Sequence, residues 1–395
     1  MKKQKVHSLT GRITSQLMIE AFKAVKRNRG VSGVDKVSIQ MFEGQLDQNL
    51  TALMKVMKDR TYSPSPLKRV FIPKGKDSVR PLGIPSVRDR VAQEVIRRLL
   101  DPIFRPMFHE CSFGYRKFRN AHMAIMKLRE FHAEGYTYVL DADIKAFFDN
   151  ISHKLIMELL ASEIADGNIL TIVEKFLSSG VMEDGKFVPT LRGTPQGGVI
   201  SPLLANIVLN ELDWFCEYYN LKFVRYADDF VVVGKSYAEM EKALELISKF
   251  LENELGLSLS SEKTKITSFK GSFDFLGFNL SSQRARMRDK SVERFKDKVR
   301  KITVRHNNLD KSVIVKLNRV IRGTVNYFAT SFSSCHGQFI KLDQWTRLRI
   351  RCMKLKRISR SDNFKMRNRA IYRLGLFSMV ELYSIVKEQR CLSPA

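Results

Sequence analysis

The stretch KFVRYADDFVVV, residues 222–233, constrains the fold more than any other part of the chain. Lys222–Tyr226 and Phe230–Val233 are rich in β-branched and aromatic residues and read as two strands. Only Ala227, Asp228 and Asp229 separate them, so the chain must reverse there in a tight turn. Two neighbouring carboxylates at such a tip raise one another's pKa unless a cation stands between them. Hard oxygen donors of this kind suit Mg²⁺.

A third carboxylate, Asp143, ends a distant apolar run that reads as a strand over Thr137–Asp143. Brought beside the turn, Asp143 would let Asp228 and Asp229 share two divalent ions. Such a pair of ions serves in-line phosphoryl displacement, one activating the attacking oxygen and one holding the leaving group. Asp141 enters the same strand earlier and is expected to be structural or solvated, and Asp149 to cap the chain before Ile151.

Charge names the partner. The 395 residues carry a formal net charge of +27, which favours a long phosphate backbone. The excess is concentrated: 284–373 holds 26 Lys and Arg against 6 Asp and Glu. No apolar run is long enough for a membrane span. None of the five cysteines forms a C-x-x-C pair, which fits a reducing, cytoplasmic setting.

Periodicity predicts helices over Leu17–Arg27, around Leu46–Met57, from Val91 to Pro102, and over Pro202–Tyr218 and Tyr237–Leu255. Hairpins are expected at 69–85 and 181–190, and strands over Ile266–Phe269 and Phe273–Leu280. Beyond Lys290 the pattern is helical. The fold class is therefore α+β with an all-α appendage.

The segments DADIKAFFDNISH, GTPQGGVISPLLANIVLNELD, RYADD and FDFLGF occur in this order. In sequence and spacing they resemble the reverse transcriptases encoded by bacterial group II introns and their free-standing relatives. RNRGVSGVDKVS, RVFIPKGKDSVRPLGIPSVRDRVAQEVI and IRGTVNYF extend the resemblance over roughly residues 10 to 385. It implies a right-hand polymerase: an N-terminal extension over 1–40, fingers and palm with an antiparallel sheet over 41–280, and a helical thumb or maturase domain over 281–395.

The resemblance also implies roles. Asp143, Asp228 and Asp229 would hold two Mg²⁺ ions, with Mn²⁺ as a substitute. Phe148 would exclude a ribose 2′-OH, while Phe147 beside it belongs to the core. Gln196 would contact the incoming dNTP, Lys74 and Arg80 would close on its triphosphate, and Lys265 would protonate pyrophosphate. Phe275 and Gly277 would grip the primer; Arg322, Asn326 and Tyr327 would contact nucleic acid. A Trp common after the Arg-Gly of the maturase motif is here Thr324. The implied partners are an RNA template, a DNA or RNA primer, dNTPs and group II intron RNA. A host-adopted enzyme of repair or phage defence and a splicing cofactor are the alternative roles. Oligomeric state is not legible.

Overall fold

A computed structural model of the protein describes residues 5–73, 79–359 and 361–392. The chain divides into two compact units, Met1–Lys127 with Val139–Ile266, and Leu128–Tyr138 with Thr267–Ala395. The strands are β1 (Leu67–Pro73), β2 (Val79–Ile84), β3 (Tyr138–Asp143), β4 (Val181–Glu183), β5 (Lys186–Val188), β6 (Lys222–Tyr226), β7 (Asp229–Gly234), β8 (Lys265–Ser268), β9 (Phe273–Phe275), β10 (Phe278–Leu280) and β11 (Ala285–Met287).

In the first unit the N-terminal helix Ser15–Arg27 starts at Thr14, whose hydroxyl accepts from the Leu17 amide. Its apolar stripe of Met18, Phe22 and Val25 is buried, as the periodicity requires. It packs on helix Leu46–Lys58 and on helix Val87–Phe104. Asp89 anchors the start of the last of these: its carboxylate accepts from the Tyr62 hydroxyl at 2.7 Å, the Ser86 hydroxyl at 2.8 Å and the Ser65 amide at 2.9 Å. This helix runs through Pro102 to Phe104 rather than stopping at the proline. Pro102 falls in the final turn, so few backbone bonds remain to be disturbed after it.

The sheet order β2-β1-β4-β5 joins the two expected hairpins edge to edge, through parallel pairing of Leu67 with Val181. A second sheet has the order β6-β7-β3-β8. Helix Ser201–Tyr218 is buried along most of its length in this unit, with Leu204, Val208 and Leu209 fully inaccessible. Helix Tyr237–Phe250 passes into a π-helical turn, Leu251–Leu255, and stops at Gly256 in the left-handed region.

Three helices of more than ten residues escape the periodicity reading: Ala121–Ala133, His153–Glu163 and Gly167–Leu177. Cap residues were their legible signal in two cases. Ser152 accepts from the Leu155 amide, and Asp166 from the Ile169 amide. Ser152, not Asp149, is thus the cap at this point of the chain. Asp166 also accepts from the amide and hydroxyl of Thr10, which ties the N-terminal segment down.

The second unit opens with the antiparallel sheet β11-β10-β9. The segment expected as one strand over Phe273–Leu280 is a two-residue hairpin, with Leu276 and Gly277 both at positive φ. β11 lies in the stretch expected to be helical, held by pairing of Arg286 with Asn279. Beyond Met287 the described residues contain helices only, chiefly Asp289–Ile302, Lys311–Phe328, His336–Leu355 and Met379–Leu392. The α+β class holds.

Arg225 of β6 is fully inaccessible and ion-paired with the equally inaccessible Asp213. Removing one partner of a buried pair strands the other charge, at a cost of about 3–5 kcal/mol. Arg225→Met should therefore lower the stability of the first unit by about that amount, read as a drop in the urea midpoint. A loss below about 1 kcal/mol would contradict the role given to this pair.

Candidate active site around the aspartate turn

The turn is shorter than the sequence suggests, because Asp229 already pairs with Tyr226 as the first residue of β7. Ala227 takes φ 60°, and Asp228 completes the reversal. Asp228 is half-buried and Asp229 exposed. β7 lies next to β3 in the sheet, and Asp143 is the last residue of β3. Asp143 and Asp229 thus belong to adjacent strands of one sheet, with Asp228 in the turn that leads into β7.

The turn is held from below. All five N–H donors of Arg225 are used. Nε donates to Asp213 at 2.7 Å, and Nη2 to the other Asp213 oxygen and to the Ser112 hydroxyl at 2.8 Å. Nη1 donates to Asn206 Oδ1 at 3.0 Å and to the Ala227 carbonyl at 2.9 Å. The same contacts bring in the loop 111–115. The Phe113 amide donates to the Arg225 carbonyl, and Asn206 to the Gly114 carbonyl. A Cβ at Gly114 would lie 2.2 Å from the Ala227 nitrogen, so only glycine fits there.

Tyr115, next in the chain, was not singled out by sequence. Its hydroxyl is raised above the usual tyrosine range, first by burial and then by the negative charge of Asp228, with Arg80 acting in the opposite sense. Tyr115 therefore lies within electrostatic reach of both Arg80 and the aspartate turn. The signal available in the sequence was the short FGYR run, placed by nothing local.

Arg80, exposed on β2, also acts on Asp149. Burial raises the Asp149 carboxyl; the charges of Arg69 and Arg80 and a 3.4 Å contact from Gln196 Nε2 oppose this. The loop carrying Gln196 is braced by backbone: the Thr194 amide donates to the Phe148 carbonyl, and the Gly83 amide of β2 to the Gln196 carbonyl. Gly197 has φ 112°, and a Cβ on it would meet the Gly83 carbonyl at 2.7 Å. Phe147–Asn150 forms a helical turn. Phe147 is buried and Phe148 half-buried, with ring centroids 5.4 Å apart.

Asp143 accepts from Lys263 Nζ at 2.7 Å. The neighbouring segment follows the end of β3, with the Ser260 amide on the Asp143 carbonyl. Lys263 is a site residue that sequence reasoning missed, since it arrives from 120 residues away. Lys265 instead faces Asp141 at 3.9 Å. Among the described residues no three His, Cys, Asp or Glu side chains are gathered tightly enough to cage an ion. The donors nonetheless suit a hard divalent cation: carboxylate oxygens on adjoining strands, none of them sealed from solvent. Lys263 is a flexible, 55% exposed ammonium that can withdraw without disturbing the core. Lys74 lies outside the described residues.

In the second unit Phe275 is buried in the core, 4% exposed. Gly277 occupies the hairpin turn, and the Tyr327 hydroxyl donates to the Leu276 carbonyl at 2.7 Å. A cavity of about 610 Å³ beside this turn is lined by Arg288, Arg294, Lys298 and Arg319, among others. Thr324 lines it too. Arg322 is exposed and lies over the Phe377 ring at 5.0 Å; Asn326 is exposed.

Residues 72–280 match the model of the reverse transcriptase (RNA-dependent DNA polymerase) family, and residues 292–372 that of the group II intron maturase-specific domain. The chain belongs to the reverse transcriptase family, whose right-hand α+β fold and RNA-directed DNA polymerase chemistry agree with the sheet and the aspartate turn. Protein YkfC of Escherichia coli (strain K12) is 34% identical over 292 residues, 64% of this chain and 77% of that protein. The group II intron-encoded protein LtrA of Lactococcus lactis subsp. cremoris is 30% identical over 331 residues, 67% of this chain and 55% of LtrA. An uncharacterized 91 kDa protein in a cob intron of Schizosaccharomyces pombe is 27% identical over 416 residues, covering 83% and 51%. The chain thus spans about three quarters of the first and about half of the other two. No helix among the described residues is long and apolar enough to cross a membrane.

Gly114→Ala should displace the turn while leaving the sheet folded. Misplacing reacting groups by about 1 Å can cost about 10²-fold in rate. Primer extension should fall by about that factor with an unchanged far-ultraviolet spectrum; full activity would show that the close approach is dispensable.

Proposed function

We propose that the chain extends a DNA or RNA primer with dNTPs on an RNA template, and that group II intron RNA is a further ligand. The observation that carries this reading is the aspartate turn, clamped by Arg225 next to the strand that ends in Asp143, inside a reverse transcriptase sequence. Asp143, Asp228 and Asp229 would hold divalent ions, Mg²⁺ in the first instance. When bound, such ions lower the pKa of the primer 3′-OH and neutralise the triphosphate.

The remaining work falls to side chains of the chain itself. Arg80 supplies positive charge to the triphosphate, the part that the sequence also gives to Lys74. Gln196 and the glycine-lined backbone after it support the nucleotide. Phe148, half-buried against Phe147, presents a rigid face to the sugar and leaves no room for a 2′-OH. Lys263, adjacent to Asp143, and Lys265 are the cations available to pyrophosphate on leaving. In the second unit the basic cavity beside the Leu276–Gly277 turn is suited to the primer backbone, with Arg322, Asn326 and Tyr327 on the same helix. The 1–40 extension, the 41–280 fingers and palm, and the 281–395 thumb are the working parts of this reading.

The maturase-specific match over 292–372 favours a second role in binding and stabilising intron RNA. The density of positive charge in that stretch is consistent with such a partner.

Asp228→Ala should abolish incorporation of dNTPs on a primed RNA template, by about 10³-fold or more, with the unfolding midpoint little changed. Undiminished incorporation would refute the placement of the active site. Phe148→Ala should narrow the preference for dNTP over rNTP by about 10–200-fold, the usual worth of one steric contact of a small group. An unaltered ratio of kcat/KM for the two nucleotides would remove Phe148 from the site.

A further inference from the structure

A large cavity of the second unit lies among residues that the reading of the site above does not use. It measures about 910 Å³, near the upper end of the roughly 300–1,000 Å³ common for ligand sites. Its wall is formed by the helix His336–Leu355 and the short helix Asp362–Lys365 with the residues after it. Lys341, Arg347, Arg351 and Arg367 line it together with the rings of Trp345 and Phe364. Among the described residues no carboxylate lines it.

The missing acids are accounted for. Asp343 is buried and accepts from the Met379 and Val380 amides and the Ser378 hydroxyl. Asp362 is 1% exposed and accepts from Arg357. Both carboxylates of this stretch are buried in the fold and neither lines the cavity, although the charge of Asp362 still reaches Arg351.

The cations are also pre-arranged. Arg351 donates from Nε to the Met366 carbonyl at 2.8 Å and from Nη2 to Asn368 at 2.6 Å. Arg347 donates to the Tyr372 hydroxyl at 2.7 Å. Burial, and then the charge of Arg347, lowers the Arg351 pKa, a repulsion that an anion would relieve. The rings are placed differently. Phe364 is 84% exposed, so its ring face is open to a stacking partner. Arg300 covers Trp345 at 5.5 Å from the ring centroid, which stiffens the indole.

Fixed cations interleaved with an open aromatic face match the chemistry of an unpaired nucleotide strand, whose phosphates and bases alternate in the same way. We propose that this cavity binds single-stranded RNA, with a base stacked on Phe364, Trp345 as a second stacking surface, and Arg347, Arg351 and Arg367 on the flanking phosphates. The inference rests on the reading of the chain as an RNA-binding polymerase and adds a site separate from the aspartate turn.

Trp214 and Trp345 are the two tryptophans of the chain, so Trp214→Phe leaves Trp345 as a local reporter. In that background, oligouridine of about 12 nucleotides should quench Trp345 emission saturably. Phe364→Ala should raise the midpoint about tenfold or more, as expected for one lost base stack worth about 1–3 kcal/mol. Oligothymidine acting equally supports recognition of base and phosphate; RNA acting alone supports recognition that includes the 2′-OH. The proposal is overturned if Trp345 emission does not respond, if Phe364→Ala leaves the midpoint unmoved, or if duplex RNA or an acidic peptide quenches better. Extension of a pre-annealed primer should be retained by Phe364→Ala, whereas Asp228→Ala should lose extension and keep the quench. Failure of the polymerase reading is thereby separated from failure of this site.

Discussion

The buried guanidinium of Arg225 is the interaction on which the arrangement of the first unit depends. A charge with no solvent access must find every partner inside the protein. Here the partners are four residues in three places: Asp213 and Asn206 on a helix, Ser112 on a loop, and the Ala227 carbonyl in the turn. The buried charge therefore specifies geometry more than it adds stability. Helix, loop and turn are pinned to one point, and Asp228 is carried by that point. An apolar side chain would fill the same volume without dictating where the turn sits.

A second layer of constraint runs through backbone. Gly114 against Ala227, and Gly197 against Gly83, are approaches that any Cβ would block. The first seats the aspartate turn, and the second joins the loop of Gln196 to β2, the strand of Arg80. Groups that would attend one nucleotide are thus linked through main chain rather than through long side chains. Such links lose little rotamer entropy and hold position well. Asp143 is the exception. Its partner is the ammonium of Lys263, half exposed on a long stem.

The second unit solves a different problem, that of carrying a large positive charge and still folding. Two of its acids are buried, where Asp343 gathers amides and Asp362 takes an arginine, while Glu293 and Asp297 pair with Lys296 and Arg300 at the surface. Several of its cations are held by carbonyls, amides and rings. The unit thereby offers phosphate-seeking surfaces at two cavities, one beside the Leu276–Gly277 turn and one beneath Phe364. The aromatic residues sort themselves by the same logic. Phe275 is consumed by the core, whereas Phe364 remains open.

What the sequence determined by itself was whatever depends on neighbours in the chain. The β6–β7 reversal, the stripe of Met18, Phe22 and Val25, the helical run after Lys290 and the unequal charge are all set by local periodicity and residue type. So is membership of the family, because its motifs are contiguous. Cap residues such as Ser152 and Asp166 were legible too, although the helices they open were passed over. Tertiary structure alone decided which distant groups meet. Lys263 rather than Lys265 reaches Asp143, Tyr115 comes under the aspartates, and Asp149 turns to Arg69 and Arg80. In each case the deciding energy is a long-range contact, an ion pair, a buried hydrogen bond or a steric exclusion between segments far apart in the chain. Such contacts leave no trace in the spacing of the residues that make them.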